Sequence, residues 1–400
     1  SLTIWHLIVM VSGWILAWGG SHVIINRRVE DIDPLILPIA ALLTGWGLLL
    51  QARLAPSFML RQVLWLVLGC TAMAALTVTR KLSRLLRRYR YTLLTAGILL
   101  LAATLVFGVN PSGVGQRLWL GVQGVYIQPS EILKLLLIIY LAAYLSERRD
   151  LIRAESEGQS LWLMVLGPML AMVGLALLLV GWQQDLGAAL LFYLTFATMV
   201  HLAWGKPTYT LLSLLLFIPV VVVGYVVSAR VAHRISIWLN PWAPEQADRA
   251  FQILQSLFAL GAGGLFGQGL GHGVPTLIPA VHTDFVFSAL VEEFGLAGGI
   301  ALILCFAALA QRGVRLARRS SSAFESLLAG GLTALIVIQS WVIIGGNVKL
   351  IPITGVTLPY LSYGGSSLLT TLTVTGILLN LSAPHSPPLN LSLSPKTIQP

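Results

Sequence analysis

Long uninterrupted apolar runs, rather than alternating ones, dominate this chain. Eleven of them fall at 3–20, 35–51, 59–79, 91–108, 131–146, 161–181, 186–204, 209–228, 285–311, 326–346 and 366–382. Each approaches the ~20 residues that carry a helix across a bilayer, whereas a membrane barrel would show short segments of period two. The pattern predicts an all-α polytopic membrane protein. The first run lacks the basic flank and small-residue cleavage site of a signal peptide, so it reads as a true span.

Two gaps between runs, 109–130 and 229–284, are long for a compact bundle, and long loops tend to carry function. The larger holds an amphipathic stretch, Phe251–Leu260, and the glycine run GAGGLFGQGLGHG over 261–273. A third segment, 347–365, is rich in Pro, Gly, Ser and Thr. The tail from 383 to 400 has several prolines and no periodicity, and reads as disordered. No internal repeat supports an inverted-repeat transporter.

Composition excludes a soluble domain: 10% of residues are charged, against about 25% in soluble proteins. The net charge of +10 would suit nucleic acid, but the basic residues sit in short gaps. Arg80–Arg90 holds six of them; Arg148, Arg149 and Arg153 fill a second gap, and Arg312, Arg315, Arg318 and Arg319 a third. All three gaps alternate correctly as cytoplasmic segments. Nucleic acid drops out as a partner and membrane lipid takes its place. An odd number of spans then puts the N-terminus outside the cytoplasmic membrane, the C-terminus inside, and 229–284 on the outer face. Cys70 and Cys305 lie within apolar runs and make neither a disulfide framework nor a metal site.

Ionisable residues in or beside spans are costly, which makes each a functional candidate. Glu131 and Lys134 are three apart and can pair on one helix face; an orienting ion pair and a direct role weigh equally. Asp185 can cap the span that follows it or line a polar cavity, the cap being preferred. Asp284 ends the largest outer segment and begins a span. Partial desolvation there would raise its pKa and suit a general base, but Asp is also a favoured N-cap, and position alone leaves the two readings even. Glu292 and Glu293 follow inside that span. Arg117, Arg230, Arg234 and Arg249 lie outside, where the positive-inside rule disfavours them; arginine forks bind phosphate, which hints at a phosphorylated membrane-embedded substrate. The glycine run fits no nucleotide-binding pattern.

Taken in order, these residues resemble one family, the SEDS proteins (shape, elongation, division and sporulation) of the RodA and FtsW type. Gln128–Pro129–Ser130–Glu131 with Lys134 resembles QPSE-x-x-K, and Asp185–Leu186–Gly187 resembles PDLGTA, with Gln184 and Ala188 as differences. Asn240–Pro241–Trp242 with Gln252–Ser256, the glycine run, His282–Thr283–Asp284–Phe285, Glu292–Glu293 with Gly295, and Pro352–Gly355 through Pro359 to Ser362–Ser367 match the remaining blocks. Two departures stand out: Ala280 replaces a usual Glu, and Leu118 precedes Trp119 where Arg is usual, with Arg117 one place earlier.

The resemblance implies a ten-helix core over 33–382, an added N-terminal helix and linker over 1–32, and a peptidoglycan glycosyltransferase that polymerises lipid II on the outer membrane face. It implies a class B penicillin-binding protein as partner. Asp284 would be the catalytic base. Arg234, Arg117 and Arg249 would meet the diphosphate, and His282, Thr283, Gln255 and Ser366 would contact substrate. Glu131, Lys134 and Asp185 would support the cavity, and a divalent cation (Mg or Mn) could assist the leaving group. A lipid II flippase and a non-catalytic scaffold activating its partner synthase are the rival readings. The motifs are shared by division and elongation members alike.

Overall fold

The computed structural model describes residues 4–148, apart from Ser112, Val114 and Gln123, and residues 161–383. Arg149, Arg153 and the tail from 384 lie outside the described residues. The helices are α1 (Ile4–Arg28), α2 (Ile36–Leu54), α3 (Met59–Val78), α4 (Leu82–Arg88), α5 (Arg90–Phe107), α6 (Pro129–Glu147) and α7 (Leu161–Trp182). After these come α8 (Leu186–Trp204), α9 (Pro207–Val227), α10 (Ala229–Leu239), α11 (Ala247–Gly263), α12 (Val286–Arg319), α13 (Ala323–Asn347) and α14 (Gly365–Ser382). A short antiparallel hairpin, β1 (Leu120–Val122) with β2 (Val125–Ile127), leads into α6.

All eleven apolar runs fall on helices. Among the described residues nine helices are long and apolar enough to span a membrane; the runs at 161–181 and 209–228 fall on α7 and α9. The protein is a polytopic helical membrane protein. Its centre is α6, where every residue from Leu133 to Leu145 except Leu136 is buried. The surrounding helices α5, α8, α13 and α14 pack on it. Helix α1 is tied in by polar contacts as well as packing: Trp18 Nε1 donates to Thr44 Oγ1 at 3.0 Å and Trp14 Nε1 to the Ala41 carbonyl at 3.1 Å.

Three features depart from the sequence reading. First, 229–284 is largely helical rather than a loop. The chain turns by 105° between α9 and α10. Helix α10 is too short to span a bilayer and carries apolar residues on one face with Arg230, His233 and Arg234 on another, the pattern of a helix lying along an interface. Second, the span expected at 285–311 runs on to Arg319, because Gln311–Arg319 keeps strong helix formers after the apolar run ends.

Third, α12 is broken at Gly295, whose φ of 70° and ψ of −174° no helix contains. The glycine run fills the break. The carbonyls of Glu292 and Glu293 accept from Gln268 N at 2.9 Å and Gly269 N at 3.0 Å. The amides of Leu296 and Ala297, their partners in an unbroken helix, donate to Gly264 O at 2.9 Å and Leu265 O at 3.1 Å. Four backbone groups freed by the break are thus satisfied by one loop, as an apolar environment demands. Val286–Phe294 becomes a separate half-helix. Arg53, at the end of α2, locks the insert from outside. It pairs with Glu293 Oε1 at 3.3 Å and donates to Gly273 O at 3.0 Å.

Gly267 sits at φ 83°, and a Cβ there would overlap the Glu293 carbonyl. Gly267→Ala is expected to cost at least about 1–2 kcal/mol from its backbone conformation alone. A thermal-unfolding midpoint of the purified protein that does not fall would refute the insert as a structural element.

Candidate active site

The segment His282–Thr283–Asp284 is held through its backbone. The His282 carbonyl accepts from Gln51 Nε2 at 2.9 Å and from Tyr363 N at 2.8 Å. The Thr283 carbonyl accepts from Ser362 Oγ at 2.6 Å, and the Asp284 carbonyl from Asn347 Nδ2 at 2.8 Å. Three consecutive carbonyls are therefore fixed by α2, α13 and the loop before α14. Upstream, Ala280 adopts a left-handed conformation, φ 56°, and its carbonyl receives both Thr283 N and Asp284 N at 3.1 Å. Its side chain is exposed, so replacing the usual Glu here alters a turn whose backbone does the positioning.

With the backbone occupied, the Asp284 carboxylate is free for other work. It does not cap α12: the cap position is Phe285, with no side-chain cap bond. Of the two readings left even by sequence, the cap is therefore removed. The carboxyl is pushed up to about 6, chiefly by burial, with the Thr283 hydroxyl and the Arg234 charge opposing. Such a group is ionised at neutral pH yet basic enough to take a proton.

Arg234, on α10, donates from Nη1 to the Thr354 carbonyl at 2.9 Å. A Cβ placed on Gly355 would lie 3.6 Å from Arg234 Nη2 and 3.8 Å from Asp284 Oδ2. Carboxylate and guanidinium thus converge on a residue with no side chain, at φ 75°, and no ion pair between them closes the gap. On the other side, a Cβ on Gly187 would come within 2.7 Å of the same Thr354 carbonyl, so the Asp185–Gly187 turn abuts Arg234's anchor.

Asp185 caps α8, its Oδ1 accepting from Ala188 N at 3.1 Å. Its other oxygen accepts from Gln128 Nε2 at 3.2 Å and Ser130 Oγ at 3.3 Å. Next in α6, Lys134 Nζ meets Glu131 Oε1 at 2.9 Å and Gln339 Oε1 at 3.0 Å. Gln339 Nε2 donates to Thr357 O at 2.8 Å, and Thr357 shares a 2.6 Å hydroxyl contact with Ser367. These two polar groups, joined where Ser130 precedes Glu131, link α8, α6, α13 and the loop before α14.

The remaining candidates scatter. His282 is partly buried and stacks on Phe58 at 5.5 Å, and burial pushes its imidazole down, towards the neutral form. Ser366 is buried, its hydroxyl accepting from Gln128 N at 2.9 Å. Gln255 is partly buried on α11; its neighbour Ser256 contacts Ser288 at 2.6 Å and, through Asn347, the Asp284 carbonyl. Arg117 is exposed on the segment leading into β1, and the side chain of Arg249 lies outside the described residues.

A family profile described as "Cell cycle protein", covering FtsW, RodA and SpoVE, matches residues 47–386. This chain belongs to that family. It is 36% identical over 396 residues to the peptidoglycan glycosyltransferase RodA of Mycobacterium tuberculosis, spanning 94% of this chain and 84% of that protein. It is 34% identical over 372 residues to the probable peptidoglycan glycosyltransferase FtsW of Geobacter metallireducens, spanning 89% and 96%. Among solved structures it resembles a chain from a peptidoglycan synthase complex, with TM-score 0.71 and 27% identity over 88% of this chain and 98% of that one. A mutant of Thermus thermophilus RodA matches with TM-score 0.65 and 26% identity, over 88% and 98%.

In this FtsW/RodA-type protein several site-building residues escape sequence reading: Gln51, Gln339, Asn347 and Gln62, whose Nε2 donates to the Ser362 carbonyl at 3.3 Å. Each is a buried amide near a helix end or inside a span, and that placement was the available signal. Removing one partner of a buried pair strands the other charge, at a cost of about 3–5 kcal/mol. Glu131→Gln and Lys134→Met are each expected to lower the unfolding midpoint sharply, with partial recovery when the two charges are exchanged. Two single variants as stable as the parent would show that the pair is dispensable.

Proposed function

We propose that this chain polymerises lipid II into glycan strands at the outer face of the bacterial cytoplasmic membrane, by inverting glycosyl transfer. The observation that carries this reading is the uncapped Asp284 carboxylate facing Arg234 across Gly355. Asp284 accepts the proton of the acceptor's GlcNAc 4-hydroxyl. That oxygen attacks the anomeric carbon of the growing strand, and the bond from that carbon to the diphosphate oxygen breaks with inversion. Arg234 receives the departing diphosphate, where a guanidinium fork matches phosphate oxygens. The rigid backbone of residues 282–284 supplies pre-organisation without reorganising during the step.

Among the described residues no group of three or more His, Cys, Asp or Glu could cage a metal ion. A divalent cation, Mg or Mn, would have to come in on substrate phosphates with one carboxylate, a familiar arrangement for Mg. A class B penicillin-binding protein is the partner this activity calls for, as consumer of the strand for crosslinking. A flippase would need ionisable groups across the bilayer's depth. Here Glu131, Lys134, Asp185, Asp284 and Glu293 belong to one end of the bundle, while Asp33, Arg90, Glu147 and Arg312 pair at the other, which favours the polymerase. A scaffold would have no use for an uncapped carboxylate facing a guanidinium across Gly355.

The basic gaps support an orientation with the N-terminus outside, the C-terminus in the cytoplasm and the α10–α11 region outside. Gln268 is exposed, so Gln268→Cys should react with a membrane-impermeant maleimide on intact cells; protection there combined with labelling from the cytoplasmic side would reverse the orientation.

Asp284→Asn should abolish polymerisation of lipid II by the purified protein, since losing a general base costs about 10²–10⁴-fold. The unfolding midpoint should hold, because the carboxylate is neither cap nor ion-pair partner and burial disfavours its charge. For the parent protein kcat/KM should be flat above about pH 6 and fall as pH drops below it, because the base must be ionised and its pKa is raised to about 6. Long strands from the Asn variant would end the assignment.

A further inference from the structure

A polymerase of this kind must hold two lipid-linked saccharides at once, and their diphosphates cannot lie in the same place. The donor's diphosphate departs from the reacting carbon, so it lies beside the base, where Arg234 stands. The acceptor reacts through the 4-hydroxyl at the far end of its disaccharide. Its own diphosphate is therefore two sugar rings away from Asp284.

On the far side of His282 and Tyr363 from Asp284 the structure holds an arginine with no part in that chemistry. Arg61 lies in the first turn of α3, at the outer end of the bundle, and is exposed. Its guanidinium hydrogen-bonds Tyr363 and rests against the β1–β2 turn, where a Cβ on Gly124 would lie 3.1 Å from Nη2. Among the described residues it belongs to none of the ion pairs. Between it and Asp284 runs an aromatic stack. Phe58 and Tyr363 lie 4.8 Å apart at 26°, and the His282 ring sits 5.5 Å from Phe58 and 5.8 Å from Tyr363. All three are partly exposed. Arg234 grips the loop before α14 at Thr354 and Arg61 meets it at Tyr363, nine residues apart in sequence, with His282 and Thr283 bonded to the same loop at Tyr363 and Ser362.

We propose that Arg61 and the Phe58–His282–Tyr363 stack form the acceptor subsite. The aromatic faces take the apolar faces of the two sugar rings, and Arg61 binds the acceptor's diphosphate. The inference rests on the polymerase reading and adds a second anion site to it. A guanidinium left without a carboxylate on the outer side is otherwise disfavoured, and its fork suits a phosphate oxyanion.

The test uses the full chain in lipid nanodiscs, with Arg61→Ala and Arg61→Lys. Polymerisation kinetics should show KM for lipid II raised at least tenfold in Arg61→Ala, more than kcat falls, with the Lys variant between. A KM within twofold of the parent overturns the proposal. Binding is read separately by native mass spectrometry with undecaprenyl diphosphate. Two molecules should bind per parent chain and one per Arg61→Ala chain; equal numbers overturn it. A muramyl pentapeptide without phosphate supplies the rival oxyanion, a carboxylate, and binding of that probe dependent on Arg61 would reassign the site away from the diphosphate. If the parent makes no glycan at all, the polymerase reading fails on that result, while the diphosphate count still decides whether Arg61 is an anion site.

Discussion

The site depends on three carbonyl groups. Residues 282–284 end an irregular segment where backbone polar groups have no helix to satisfy them, at the edge of a medium that punishes unpaired ones. Gln51, Tyr363, Ser362 and Asn347 fill that need. Because the main chain takes these donors, the Asp284 carboxylate is not drawn into capping or pairing. Reactivity here follows from what the surroundings leave undone.

The buried polar chain from Asp185 through Glu131, Lys134 and Gln339 to Ser367 has a related logic. Glu131 pairs with Lys134 on its own helix, while Asp185, Lys134 and Gln339 each have a partner from another element, so the bundle cannot slide in register without stranding one. Desolvation makes such a network a poor source of net stability and a good source of specificity. The insert at Gly295 does the same with backbone groups. Both features fix the outer half of the molecule, while the inner half relies on apolar packing around α6 and on ion pairs at the helix ends.

Much of this was legible in the residues themselves. The spans show because membrane helices need long apolar runs, and the ordered motifs mark the site because their polar residues sit where polarity is expensive. Asp284 could be named but not assigned, since a cap and a base look alike in sequence; only the Phe285 cap position separated them. Helix α10 hid inside a presumed loop because eleven residues of amphipathic period are short of a span. The break in α12 was invisible for a stronger reason. Gly295 lies within a helical pattern, and its conformation is set by a loop some 30 residues earlier, a relation that local periodicity does not encode. The amides Gln51, Gln62 and Asn347 were passed over because their partners are main-chain atoms far away in the chain.

One pairing at the opposite end of the molecule bears on chain connectivity. Arg312 grips Asp33 with contacts of 2.7 and 3.0 Å, and Asp33 N donates to Ser382 Oγ at 3.0 Å. The beginning of α2 and the end of α14 therefore meet on one face of the membrane, with α12 closing the junction. Helix α1, which packs on α3 and α2, leads into this junction through the linker before Asp33. A circular permutant joining the two ends by a short linker would leave every other span with its orientation unchanged.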